Sequence, residues 1–113
     1  MRPTLAVTTA LFLLLGAAVA KAADPALLGE TAGFLLGNAH RCGVSTDRVE
    51  HASAVIHRLI VAASCDPTDE AGANLRFAEI FQARAFPNPG GDVLTPPCKV
   101  VIGQFERLEA GMN

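Results

Sequence analysis

Asp24-Pro25, Asp66-Pro67 and Thr95-Pro96-Pro97 each set a residue suited to capping a helix directly before proline, ahead of a stretch with helical periodicity. Asp and Thr oxygens accept from the free N–H groups of a helix start, and proline at the first helical position lacks an N–H that would go unused there. Punctuation of this kind divides a chain into helices before any other property is considered. It predicts an all-α protein.

The first predicted helix runs from Pro25 to about Arg41, with Gly43 placed to end it in the left-handed conformation. Leu27, Leu28, Thr31, Phe34, Leu35 and Asn38 fall at i, i+3/i+4 spacing and form its expected apolar face. Gly29, Gly33 and Gly37 each cost about 1 kcal/mol against alanine inside a helix, yet they recur every fourth residue along one side. Close approach of another helix backbone is the expected reason, since the segment is too polar for a lipid-embedded pairing motif.

The second helix is capped by Ser45 or Thr46, carries Asp47 in its first turn and runs to about Ser64. Val49, Ala52, Ile56, Leu59, Ile60 and Ala63 make a clean apolar stripe, with Asp47, His51, Ala54 and Arg58 on the opposite face. The third opens at Asp66-Pro67 and places Leu75, Phe77, Ala78, Ile80, Phe81 and Ala85 on a wide apolar face. It must stop before Pro87, because the residue preceding proline is pushed out of the helical region. The stretch from Phe86 to Asp92 is turn-rich, and Val93 and Leu94 are expected to pin it to the core. The fourth helix starts at Thr95-Pro96-Pro97 and runs to about Ala110, with Cys98, Val101, Ile102, Phe105 and Leu108 in one stripe. Four amphipathic helices with short connections imply antiparallel neighbours in a small up-down four-helix bundle.

The N-terminus is of a different kind. Arg2 precedes an apolar run from Leu5 to Ala18, and two small-x-small sites follow at Ala18-Val19-Ala20 and Ala20-Lys21-Ala22. Residues 1–22 thus have the layout of a cleavable signal peptide, and residues 23–113 that of a single small domain. The run is shorter than the roughly 20 apolar residues a spanning helix needs, so no lasting membrane anchor is expected. An exported location, in a bacterial periplasm or outside the cell, follows. Cleavage after Ala22 removes Arg2 and Lys21 from the nine basic residues, leaving seven against eleven acidic ones, a net charge of about −4. Without a basic stripe, and with no Trp or Tyr, binding to nucleic acid is not expected.

Three cysteines in an exported chain imply one disulfide and one thiol left over. In an up-down-up-down bundle the end of the first helix and the start of the fourth meet at one pole. Cys42 and Cys98 occupy those two places, so they are the expected disulfide. Cys65, after the second helix, lies at the other pole and is the expected free thiol, read as a small buried residue.

No residue set makes a strong case for catalysis, a metal or a cofactor. Zinc sites use ligands in close pairs, and His40-x-Cys42 has no second pair to match it; His51 and His57, six apart, lie about 120° from each other around the helix. Ser53, His57 and Glu50 could be drawn as a serine–histidine–acid set, but nucleophiles are normally displayed on sharp turns beside oxyanion donors. The expectation is therefore a non-enzymatic binding module, without cofactor, for a protein partner or small apolar ligand. Its expected recognition surface is the loop carrying Phe86, Asn88, Asp92 and Leu94. A metal- or redox-responsive protein using His40, His51 and the cysteines is the alternative.

Overall fold

A computed structural model of the chain describes residues 24–89 and 95–112. The proposed leader, residues 1–22, lies outside the described residues. Among those described, four helices and no strand are present: α1 Pro25–Arg41, α2 Thr46–Ala63, α3 Pro67–Ala85 and α4 Cys98–Met112. They pack as an all-α four-helix bundle around one continuous core that includes Leu28, Leu36, Ile56, Ile60, Phe77, Val101 and Phe105.

The helix ends form as the sequence dictates. Asp24 Oδ1 accepts from the N–H groups of Ala26 and Leu27, Ser45 Oγ from that of Arg48, and Asp66 Oδ1 from that of Asp69. Gly43 takes φ +93° after α1. Its N–H donates to the His40 carbonyl and that of Val44 to the Ala39 carbonyl, the paired bonds of a Schellman ending. Val44, buried, closes the motif onto the core. At α4 the start falls later than expected. Pro96 precedes a proline and is pushed toward extended backbone, and the first helical bonds run from Val100 and Val101 to the Pro97 carbonyl. The same helix continues past Ala110 to Met112, whose side chain packs against the core.

The tightest contact joins α1 to α3, and it explains the glycines. A Cβ on Gly33 would meet the Phe77 carbonyl oxygen at 2.7 Å, one on Gly37 the Phe81 oxygen at 2.7 Å, and one on Gly29 the Ala73 oxygen. Both members of these pairs advance by four residues together, so α1 and α3 run parallel, backbone against backbone. They form the closest helix pair of the bundle, with α2 and α4 packed on α1. Antiparallel neighbours alone therefore do not describe the packing.

This contact turns α1 and corrects its expected face. Leu28, Ala32, Leu36 and Ala39 are buried beside the glycines, whereas Leu27 and Phe34 are exposed. On α3 the buried positions are Ala73, Phe77 and Ala85; Leu75, about 200° from Ala73 around the helix, is 61% exposed. The stripes of α2 and α4 lie as expected, with Val49, Ala52, Ile56, Ile60 and Ala63, and Val101, Phe105 and Leu108, buried. Among the described residues no helix is long and apolar enough to cross a membrane.

Two links fasten α4. The disulfide joins Cys42 to Cys98 with a Cα–Cα distance of 5.4 Å, the pair the helix directions select. At the far end the Arg48 guanidinium, in the first turn of α2, holds the Glu109 carboxylate through two hydrogen bonds, one of 2.9 Å, and lies 5.4 Å from the centre of the Phe105 ring.

Candidate functional site

Because α3 runs parallel to α1, its C-terminal end reaches the pole where α1 ends. Aromatic rings line up along that path. His57 meets Phe77 edge-on at 5.2 Å between ring centres, Phe77 stacks on Phe81 at 6.0 Å, and His40 lies 6.0 Å from Phe81 and 5.2 Å from Phe86. Such distances are those of attractive aromatic pairs. The row starts half-way along α3 and finishes at Phe86, a residue 60% exposed.

Beside the row a cleft of about 310 Å³ opens between α2 and α3. Phe77, Phe81 and Val49 supply its apolar surface, and His40, Thr46, Glu50 and Ser53 its polar groups. Its volume is at the lower end of the ~300–1,000 Å³ typical of small-molecule sites, and apolar walls with a few polar groups are their usual composition. A second, shallower depression of about 350 Å³ on the other side of the α1–α3 pair is lined by charges that already have partners. Arg76 Nε donates to Glu30 Oε2 at 2.6 Å, and the Arg84 guanidinium covers the Phe34 ring at 4.5 Å.

Of the expected recognition loop, Phe86 and Asn88 are exposed, and Asp92 and Leu94 lie outside the described residues. Cys65 forms no disulfide and is exposed, which corrects its reading as a buried residue. It occupies the short turn between Ser64, the C-cap of α2, and Asp66, the N-cap of α3. Its N–H donates to Asp69 Oδ2 at 3.1 Å, so the turn is held by polar bonds rather than by packing of the thiol.

The serine–histidine–acid set is not assembled around its histidine. Glu50 and Ser53 line the cleft, but His57 Nδ1–H donates to Asn74 Oδ1 at 2.8 Å. A neutral amide there gives no carboxylate to stabilise an imidazolium. Nor are His40, His51 and the cysteines brought together. His40 is engaged with two phenyl rings, Cys42 and Cys98 are bonded to each other, and His51 is exposed on α2. Among the described residues no group of three or more His, Cys, Asp or Glu side chains could hold a metal ion.

One polar arrangement was not anticipated from the sequence. Arg41 reaches from the last turn of α1 to the start of α4. Its Nη2 donates to the Pro96 carbonyl at 3.0 Å, its Nη1 lies 3.6 Å from Cys98 Sγ, and its Nε donates to Asn38 Oδ1 at 3.1 Å. Asn38 is fully buried and also donates from Nδ2 to the Phe34 carbonyl at 2.9 Å. The available signal was a cation directly preceding a cysteine, with an amide three residues before it.

Comparison of the chain with protein-family models, with curated proteins and with solved structures returned no match.

Proposed function

We propose that this chain is a small exported helical module, without catalytic activity of its own, that recognises a protein partner or a small apolar ligand at the pole where α1 and α3 end. One observation carries the reading: an aromatic row that is buried at Phe77 ends in the exposed ring of Phe86, beside a mainly apolar cleft. Aromatic rings held by a rigid scaffold lose little freedom on binding, and they are frequent anchors of recognition surfaces. The leader-like residues 1–22 and the disulfide support export, since such bonds persist in oxidising compartments.

Site-specific photo-crosslinking tests the proposal in the cells that make the protein. A benzophenone amino acid at position 86 is expected to yield a discrete adduct on irradiation, while the same group at Arg107, exposed on α4, yields none. The adduct mass distinguishes a protein partner from a small ligand. No adduct from position 86, or equal adducts from both positions, would rule the rim out.

A further inference from the structure

The two cysteines of the disulfide stand at opposite kinds of helix end. Cys42 is the C-cap of α1, where the carbonyl end of a helix disfavours negative charge. Cys98 is the first residue of α4, where N–H groups favour it. The guanidinium of Arg41 adds a full positive charge 3.6 Å from Cys98 Sγ. It does not swing freely, because the buried Asn38 amide and the Pro96 carbonyl hold its other two nitrogens. Both cysteines are half-buried, so exposure does not single out either one.

We propose that the Cys42–Cys98 bond is a directional site of thiol–disulfide exchange, attacked at Cys42 by a dithiol reductant, with Cys98 as the leaving group. The incoming thiolate forms a bond to Cys42 Sγ while the Cys42–Cys98 bond breaks. The electron pair departs on Cys98 as a thiolate that Arg41 and the start of α4 receive. A leaving sulfur whose anion is stabilised leaves faster. The second thiolate of the reductant then attacks its own sulfur in the mixed disulfide, releasing Cys42, and two protons from water complete the pair of thiols. The reductant is oxidised to its disulfide and the protein is reduced, so atoms and electrons balance. Exchange in this direction unfastens the first turn of α4, the helix that contributes Val101, Phe105 and Leu108 to the core. Cys65 takes no part: it lies at the other end of α2, a helix of 18 residues and thus about 27 Å long.

Glutathione serves as the probe. The oxidised Cys65→Ser protein is exposed briefly to reduced glutathione, quenched with acid, alkylated and digested with trypsin. Cleavage after Arg41, Arg48, Arg84 and Lys99 places Cys42 and Cys98 on separate peptides. Glutathione is expected on Cys42 in about five-fold or greater excess over Cys98. Arg41→Gln should bring the two close to parity, and Arg41→Lys, which keeps the charge but not the fork, should fall between. Glutathione on Cys98, an even distribution in the parent protein, or a Cys42 preference unchanged in Arg41→Gln overturns the proposal. Should Arg41→Gln not yield folded oxidised protein, the parent's distribution and the Arg41→Lys comparison decide.

Discussion

Gly33 of α1 lies against the carbonyl of Phe77 on α3 with no room for a side chain: a Cβ there would stand 2.7 Å from the Phe77 oxygen. Gly72, on the exposed side of α3, has nothing within 4 Å of the same hypothetical atom. Alanine at the two sites should therefore act in opposite directions. Gly72→Ala gains up to about 1 kcal/mol of helix propensity. Gly33→Ala gains the same propensity but must push two backbones apart, which costs about 1–3 kcal/mol or more for an overpacked core, leaving a net loss. Urea unfolding of the oxidised protein measures both. A stabilised Gly33→Ala would show that the parallel contact is not as close as described.

Replacing both Cys42 and Cys98 with serine opens a cross-link between residues 56 apart in sequence. The chain-entropy model gives about 4 kcal/mol for a loop of this size, a large share of the 5–15 kcal/mol of an ordinary domain. The double variant is expected to lose stability on that order, while Cys65→Ser, changing an exposed thiol, should be nearly neutral. Thermal unfolding by circular dichroism distinguishes the two. Equal effects would mean that the bond contributes little to holding α4.

Much of this architecture was legible because capping and proline chemistry act locally. Asp24, Ser45, Asp66 and Gly43 need only their own neighbours to do what they do, and so the helix boundaries and the Cys42–Cys98 pairing could be derived. What escaped depends on distant partners. Leu27 and Phe34 look like core residues by spacing, yet the glycine contact with α3 rotates α1 so that Ala32 and Leu36 are buried in their place. Leu75 is set aside by the same contact. Glycine spacing announced a close approach but could not name the helix approaching. Arg41 reads as a charge in a last turn, and its role beside Cys98 exists only once residues 55 or more apart meet at one pole.

Phe77 and Phe86 belong to one aromatic row but should separate stability from recognition. Phe77 is 6% exposed, and truncation of a buried phenylalanine to alanine costs about 3–5 kcal/mol. Phe86→Ala removes a ring that is mostly in water, and its expected cost is about 0.5 kcal/mol or less. If the rim at the end of α3 recognises a partner, Phe86→Ala abolishes the crosslink obtained from a benzophenone placed at the neighbouring Asn88, with the unfolding midpoint almost unchanged. A crosslink that survives Phe86→Ala would remove that ring from the recognition surface.

The Arg48–Glu109 pair makes the fastening of α4 sensitive to acid. The hydrogen bonds from Arg48 hold the Glu109 carboxyl below the usual carboxylate range, against an opposing effect of partial burial, and the same bonds raise Arg48. Since the folded-state value of Glu109 is depressed, its contribution is present above the unfolded value near ~4.3 and is lost as pH falls through the folded one. Glu109→Gln should therefore lower the urea midpoint slightly at neutral pH, and the difference from the parent should shrink as pH falls below the ordinary carboxylate range and the parent's carboxylate is protonated. High salt should shrink the neutral-pH difference as well, because the pair is solvent-exposed. A difference that is constant from neutral to acid pH would place the effect of Glu109 in packing rather than in its charge.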